Sequence, residues 1–157
     1  MHLVICTTDY PPQLGGIARY SAELAAALAA RHRVTVIAPA MTADEQTDPG
    51  QPFTTIRLPN VPVVREMLAL HTLRALQRSA RIDCVLNTVW FPCGLVAARF
   101  HRTHGVRYAV SAHGSEMFDD RLTWRRTVKS LLRPWKRRML EGAAVVLPVS
   151  GFTRDRL

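Results

Sequence analysis

The 157-residue chain has 48% hydrophobic and 21% charged residues, which is typical of one folded domain and excludes an intrinsically disordered segment. Its formal charge of +9 indicates an anionic partner, such as nucleic acid, an acidic lipid surface or a phosphorylated ligand. No apolar run approaches the roughly 18 residues of a membrane span, and no basic segment precedes the short apolar run at the N-terminus, so we expect neither a membrane-spanning helix nor a signal peptide.

Short apolar runs alternate with stretches of helical spacing along the whole chain. The runs predict six strands, at Leu3–Cys6, Val34–Ala38, Thr54–Leu58, Cys84–Leu86, Tyr108–Ser111 and Ala143–Val149. The helical stretches are 17–31, 64–80, 95–101 and 122–141, and residues 41–52 read as a polar loop. This alternation predicts an α/β fold, a Rossmann-like doubly wound parallel sheet with strand order 3-2-1-4-5-6.

The periodicity also predicts which side chains the first two helices bury. In the second, Leu68, Leu73 and Leu76 are candidate core positions. In the first, alanines elsewhere on the helix would allow close packing, and the predicted core face carries Ile17, Tyr20, Leu24, Ala27, Leu28 and Arg31.

The three cysteines show no paired spacing, so we expect no metal site and a reducing compartment. Cys6 and Cys84 lie in predicted strands, where a cysteine is usually a small buried apolar residue. Cys93 lies near a predicted helix start, which can lower the pKa of a thiol. Both a reactive role and an inert one therefore stay open for Cys93.

The loop between the first strand and the first helix contains Gly15 and Gly16. Two glycines at a helix N-terminus leave backbone N–H groups accessible beside the positive end of the helix dipole, which suits a phosphate. The alternative is a tight turn with no ligand. In a doubly wound sheet, ligands bind at the carboxyl ends of the strands, and both this loop and the His113 loop lie on that edge. That placement favours the phosphate site.

A dinucleotide site does not fit this loop. It would need G-x-G-x-x-G and an acidic residue at the end of the second strand. Here the second strand ends in Ile37-Ala38-Pro39, and the nearest acids, Asp44 and Glu45, lie well into the next loop.

Three segments resemble the N-terminal part of GT-B-fold glycosyltransferases, in particular the retaining family 4. They are 10–29 with 34–37, then Ala112-His113-Gly114-Ser115-Glu116, and finally 144–150. They occur in the order and spacing of that family and span nearly the whole chain. The resemblance implies transfer of a hexosyl group from a nucleoside-diphosphate sugar to a glycan acceptor, with no cofactor and no bound metal.

The resemblance also implies roles for individual residues. Gly15 and Gly16 would bind the donor diphosphate through backbone amides, and His113 would be the catalytic histidine that contacts the donor sugar. A histidine satisfied by backbone groups at a strand end is the alternative for His113. Asp9, Tyr10, Asn87, Gly114, Ser115 and Glu116 are candidates for the substrate pocket. Trp90 and Phe91 could also shape an acceptor pocket or serve only as loop packing.

The sequence departs from the family in two places. Arg31-His32 stands where the family commonly has Gly-His, which we expect to change only the turn. The C-terminal domain that binds the nucleotide and carries a paired-glutamate motif has no counterpart in residues 1–157. We therefore expect an N-terminal, acceptor-side domain of a longer chain, inactive by itself. The alternative is a stand-alone Rossmann-like module that binds a membrane or a partner without catalysis.

Residues 121–138 contain eight cations and no acid, with tryptophans at helical spacing. A basic amphipathic helix of this kind suits an anionic membrane surface. Each cation close to such a surface is attracted to it by about 1 kcal/mol. The alternative is an apolar face packed on the sheet with solvated charges; no motif supports nucleic acid binding. Membrane contact would place the protein on the cytoplasmic face of the membrane, near a lipid-linked acceptor. The predicted contact residues are Arg121, Trp124, Arg125, Arg126, Lys129, Arg133, Trp135, Lys136, Arg137 and Arg138.

Overall fold

The computed structural model describes residues 1–41, 50–113 and 134–155. The strands are β1 (His2–Cys6), β2 (Arg33–Pro39), β3 (Thr54–Leu58), β4 (Cys84–Asn87), β5 (Arg107–Ala112) and β6 (Val145–Pro148). The helices are α1 (Gly16–Ala29), α2 (Val64–Ser79), α3 (Leu95–His104), α4 (134–141) and α5 (Gly151–Arg154), and a short helical turn, Trp90–Gly94, leads into α3. All six predicted strands are confirmed, with ends that differ by at most two residues.

The six strands form one parallel sheet in the order β3-β2-β1-β4-β5-β6. This confirms the predicted α/β class and strand order. Cys6, the last residue of β1, lies opposite Ile37 of β2 and Asn87 of β4, and Asn87 lies opposite Val110 of β5. The loops that follow β1 and β4 therefore leave the sheet side by side, next to the end of β5.

The sheet is buried on both faces, which explains why its central strands are continuously apolar. On one face Ile5, Val34 and Val36 pack with Ala25 of α1. On the other face Val4 and Val85 pack with Leu73 of α2, Phe100 of α3 and Met139 of α4. The helix α1 thus covers one side, and α2, α3 and α4 cover the other.

The predicted core face of α1 was partly wrong. The residues that α1 buries are Ala18, Ser21 and Ala25, a line of small side chains with helical spacing. Small residues let the helix approach the sheet closely, so the larger Leu24 and Leu28 pack at the margin of this contact. Ala27 is exposed and so is Arg31, although both were predicted on the buried face. In α2, by contrast, Leu73 is fully buried with Leu68 and Leu76 packed beside it, as predicted.

The last strand, β6, forms one edge of the sheet. Alternate side chains there are apolar and exposed: Val145 is 46% exposed, Leu147 38% and, just beyond the strand, Val149 42%. Helix α4 precedes this strand and packs Met139 close to Gly94, where a Cβ would come within 2.9 Å of the methionine sulfur. None of the helices in the three described ranges has the length and apolar character needed to cross a bilayer.

Candidate functional site

The glycine loop leads from the end of β1 into α1. Gly15 and Gly16 are both exposed, and a Cβ built at either one would meet nothing within 4 Å. Among the described residues no side chain caps this end of α1, and its first turn contains no acidic residue. The amide of Arg19 donates to the Gly15 carbonyl at 3.0 Å. Within the described ranges the first turn of α1 thus has no capping side chain at the positive end of the helix dipole, and the exposed Gly15 and Gly16 leave room for an anion to approach.

The proline segment of this loop is held by Arg57 of β3. The guanidinium donates to the carbonyl of Pro39, at 3.0 Å, and to the carbonyl of Pro11. It also lies over the Tyr10 ring, 4.9 Å from the ring centroid, and both side chains are buried. The planar, forked guanidinium can make these contacts together. Tyr10 consequently lies in the core beneath the loop and supports it, while its hydroxyl reaches Gln51 at 3.5 Å.

Three buried hydroxyl groups join the ends of β1 and β4 to α1. The Thr88 hydroxyl donates to the Thr7 hydroxyl at 2.7 Å, and the Thr7 hydroxyl lies 3.0 Å from that of Ser21. Thr7 also donates to the Asp9 carbonyl at 2.9 Å, and Ser21 donates to the Ile17 carbonyl at 2.7 Å. All three side chains are at most 3% exposed. This network links the glycine loop to the loop after β4.

His113 follows β5 on the same edge of the sheet. Its ring packs edge-on against the ring of Tyr20 from α1, with centroids 5.3 Å apart, and the Tyr20 hydroxyl lies 3.0 Å from the Ser111 hydroxyl. Tyr20 is one turn beyond Gly16, so it places the histidine next to the helix whose first turn carries the exposed amides. The loop after β1 and the end of β5 thus meet at one site, as predicted from their shared edge.

The environment of His113 favours the neutral ring. Burial lowers its pKa from the ordinary value of 6.5, while a hydrogen bond to the Thr88 backbone and the nearby Asp9 carboxylate act in the opposite direction. Nε2 is buried and has no hydrogen-bond partner among the described residues. The backbone bond therefore uses Nδ1, which must donate to a carbonyl. Nε2 of the neutral ring is left as a buried acceptor with no partner among the described residues.

Asp9 and Asn87, both predicted pocket residues, are held by neighbouring groups. The Asp9 carboxylate accepts from the Thr8 hydroxyl and from the Gln13 amide, both at 2.9 Å. Asn87 is 1% exposed and donates to the Ala109 carbonyl at 2.9 Å. Its Oδ1 is buried without a partner among the described residues. The predicted residues Gly114, Ser115 and Glu116 lie outside the described ranges.

The aromatic pair after β4 divides between core and surface. Trp90 is buried, with Lys136 Nζ 5.2 Å from its ring centroid, whereas Phe91 is 45% exposed. Of the predicted membrane residues in α4, Trp135 is 55% exposed, Arg138 is exposed and Arg137 pairs with Glu141 at 2.7 Å. The remaining predicted membrane residues lie outside the described ranges: Arg121, Trp124, Arg125, Arg126, Lys129 and Arg133.

Five residues that shape this edge were given no role there from the sequence: Thr7, Ser21, Thr88, Arg57 and Tyr20, the last of which was predicted only as part of the core face of α1. Thr7 directly follows the predicted strand Leu3–Cys6, and Thr88 lies two residues beyond the predicted strand Cys84–Leu86. Polar residues at such strand ends are where α/β sheets bind ligands. That position could have identified them. Arg57 had a weaker indication, since it is a single cation in an otherwise uncharged predicted strand.

The sheet is parallel, with an exposed glycine loop after its first strand and a histidine after its fifth. This is the architecture of one half of a GT-B glycosyltransferase. Residues 15–157 match the family model described as a glycosyl transferase 4-like domain. The chain therefore belongs to this glycosyltransferase family, which confirms the resemblance inferred from sequence.

Mycobacterial enzymes are among its curated relatives. The chain is 29% identical over 158 residues to the GDP-mannose-dependent alpha-(1-6)-phosphatidylinositol monomannoside mannosyltransferase of Mycolicibacterium smegmatis. It is 30% identical over 160 residues to the enzyme of the same description from Mycobacterium tuberculosis. Each alignment covers 98% of this chain but only 39% or 40% of the relative. The chain thus spans about two fifths of the length of these relatives.

Among solved structures, the chain is similar to sucrose-phosphate synthase from Thermosynechococcus elongatus, with a TM-score of 0.74 and 15% sequence identity. The superposition covers 93% of this chain and 41% of the synthase. At this level of identity the similarity shows a shared fold.

Proposed function

We propose that residues 1–157 form the N-terminal, acceptor-side domain of a mannosyltransferase that transfers mannose from GDP-mannose to a mannosylated phosphatidylinositol. The observation that carries this proposal is the 29–30% identity to enzymes of that description across 98% of the chain. The mannose in GDP-mannose is α-linked and the relatives are described as alpha-(1-6) enzymes, so the transfer would retain the anomeric configuration.

In this proposal a second domain supplies the other half of the site. The relatives are roughly two and a half times as long as the aligned region, which leaves room for a nucleotide-binding domain of similar size. The catalytic cleft would close between the two domains. Residues 1–157 alone would bind the donor weakly and turn over little or none.

The residues of this domain would act on the donor as follows. The exposed amides at Gly15 and Gly16 would hold the diphosphate and stabilise the charge that develops on it as the glycosidic bond breaks. Nε2 of His113, buried and without a partner among the described residues, would accept a hydrogen bond from a hydroxyl of the donor sugar. This arrangement assigns no role to a metal, since backbone amides and cations of the second domain would neutralise the leaving group.

The acceptor is a phospholipid, so the site must work at a membrane. The eight cations of residues 121–138 would contact anionic lipid at the cytoplasmic face. Within the described part of this stretch, Trp135 and Arg138 are exposed and Arg137 is paired only at the surface, which leaves α4 able to face lipid.

The test uses the intact protein and vesicles that contain phosphatidylinositol monomannoside. We expect transfer of labelled mannose from GDP-mannose, with GDP-glucose and UDP-glucose at least tenfold poorer, and release of the product sugar by an α-mannosidase. Preferential use of another donor would overturn the mannosyl assignment. Vesicle binding with no transfer from any of these donors would favour the alternative, a membrane-binding module without catalysis.

A further inference from the structure

Tyr20 of helix α1 contacts the end of β5 at two points. Its hydroxyl lies 3.0 Å from the Ser111 hydroxyl, and its ring packs against the His113 ring at an interplanar angle of 85°, with centroids 5.3 Å apart. Ser111 and His113 are two residues apart and both are reached from α1, so both lie on the sheet face that this helix covers. Tyr20 thus bridges the helix that begins at the glycine loop and the strand end that carries the histidine.

These contacts are not those of a core residue. Tyr20 is half-buried and belongs to neither of the two apolar clusters that hold the helices on the sheet. Leu24, one turn further along α1, packs beside the cluster of Ile5 and Val36 instead. Within the described part of the chain, the hydrogen bond and the ring contact of Tyr20 both go to the end of β5. The packing of α1 on the sheet therefore does not account for a tyrosine at this position.

Ser111 anchors the far end of the tyrosine. It is 3% exposed, and its neighbours in the strand, Val110 and Ala112, are buried apolar residues. A buried hydroxyl is unfavourable unless it has a hydrogen-bond partner, and the Tyr20 hydroxyl is that partner. Because this bond is directional, it fixes the phenol group, and the plane of the ring beside His113 is fixed with it.

The His113 ring has one degree of freedom that must be restrained. The χ2 torsion of histidine is broad and roughly two-fold, so the ring can turn over in place. Such a flip would carry Nδ1 away from its hydrogen bond with the Thr88 backbone and would also move Nε2. The Thr88 bond restrains the ring from the side of β4, and the perpendicular Tyr20 ring restrains it from the side of α1.

We infer that Tyr20 is a positioning residue for His113. Its ring, anchored on Ser111, keeps the imidazole in the orientation in which Nδ1 donates to Thr88 and Nε2 stays in one place as the acceptor for the donor sugar. An acceptor that is already oriented does not lose that freedom when the sugar arrives, which favours the reaction. The use of Nε2 rests on the proposed function, whereas the ring orientation belongs to the protein without ligand and is measured there.

Nuclear magnetic resonance of the intact protein, labelled with nitrogen-15 in histidine, tests the orientation without donor. The His113 ring signals are those that His113→Gln removes. At about pH 8, well above the ordinary histidine pKa, the nitrogen shifts show which ring nitrogen carries the proton. We expect protonation at Nδ1 in the wild type and a mixture of both tautomers in Tyr20→Leu, because the flipped ring no longer donates to Thr88.

Leu24→Ala is the matched control. Leu24 is also a half-buried residue of α1, but its packing is with the sheet core. This variant should lower the urea midpoint, since it removes buried methyl groups, and should leave the His113 tautomer unchanged. Loosening of α1 alone is thereby separated from loss of the Tyr20 ring.

Mannose transfer from GDP-mannose tests the consequence for the reaction. Tyr20→Leu should reduce kcat/KM about tenfold, mainly through kcat, because a misplaced acceptor weakens its contact in the transition state. Tyr20→Phe and Ser111→Ala keep the ring and remove its anchor, so each should cost about two- to threefold. The two changes together should cost no more than either alone, since both remove the same hydrogen bond.

Three outcomes would overturn this inference: an unchanged His113 tautomer in Tyr20→Leu, the same tautomer change in Leu24→Ala, or a changed tautomer with unaltered kcat/KM. If Tyr20→Leu does not fold, Tyr20→Phe and Ser111→Ala decide by the same measurements. Absence of transfer by the wild type would count against the proposed function, whereas the ring measurement, made without donor, would still decide whether Tyr20 orients His113.

Discussion

The hydroxyl of Thr88 donates a 2.7 Å hydrogen bond to the hydroxyl of Thr7, across the ends of two neighbouring parallel strands. The Thr7 hydroxyl also donates to the carbonyl of Asp9, which lies in the glycine loop. The backbone of Thr88 is hydrogen-bonded to the His113 ring. One buried contact thus couples the loop proposed to bind diphosphate to the histidine proposed to bind the sugar. Their relative position is set within this domain, before any ligand arrives.

Thr88→Val tests this coupling, because valine keeps the shape of threonine and removes the hydroxyl. We expect a loss of about 1–2 kcal/mol in the free energy of unfolding, measured by urea titration. Thr7→Val should cost at least as much, since that hydroxyl contacts four groups, namely the Asp9 carbonyl, the Asp9 amide and the hydroxyls of Ser21 and Thr88. The two changes together should cost less than their sum, and strict additivity would show that the hydroxyls are not coupled.

Arg57→Lys is expected to loosen the proline segment of the glycine loop. Lysine cannot reproduce the planar contacts to two carbonyl groups and to the Tyr10 ring, so we expect a loss of about 2–3 kcal/mol in unfolding free energy. In the intact enzyme the KM for donor should rise more than kcat falls, because the loop position changes and the reacting groups do not. Arg33→Lys at an exposed strand end is the control, and an equal effect there would contradict the assignment.

Gly16→Trp tests the proposed diphosphate contact. A side chain at Gly16 has open space, so the variant should fold with an unchanged urea midpoint. The indole would occupy the space in front of the amides. We expect kcat/KM to fall about a hundredfold or more, because the loss of a single hydrogen-bond donor that stabilises charge in the transition state has an effect of that size. Gly151→Trp, at the first position of α5 and equally unobstructed, is the matched control. Unchanged activity of Gly16→Trp would refute the assignment.

The lowered pKa of His113 predicts a loss of stability in acid. Because the folded-state pKa lies below the unfolded value of 6.5, the unfolded chain takes up this proton first as the pH falls. The free energy of unfolding should therefore be highest above pH 6.5 and decline below it, towards the folded pKa. His113→Gln should make this decline shallower without abolishing it, since burial also lowers the pKa of His2. Urea midpoints from about pH 5 to pH 7.5 provide the check, and an unaltered slope would contradict the prediction.

The sheet could be predicted from the sequence because a central strand that is buried on both faces is apolar along its whole length. Val4, Ile5 and Val36 are fully buried on one face or the other, so continuous apolar runs marked the strands. The right-handedness of parallel crossovers then restricted the strand order. The predicted meeting of the glycine loop with the His113 loop followed from that order alone, with no knowledge of side-chain contacts.

The contacts that shape the site could not be predicted in this way, because they join distant parts of the chain. Arg57 and Pro11 are separated by 46 residues, and Thr88 and Thr7 by 81. No periodicity relates such positions. The buried face of α1 was also misread, since a pattern based on hydrophobicity favours leucine over serine. Ser21 is fully buried because its hydroxyl bonds both the helix backbone and Thr7.

The exposed edge of the sheet at β6 has a practical consequence for work with residues 1–157 in solution. Val145, Leu147 and Val149 present alternate apolar side chains beside a row of main-chain groups that the rest of the sheet does not pair. An open edge of this kind is a template on which another strand can add. Association through this edge would then limit the protein concentration that crystallisation or calorimetry of residues 1–157 can use.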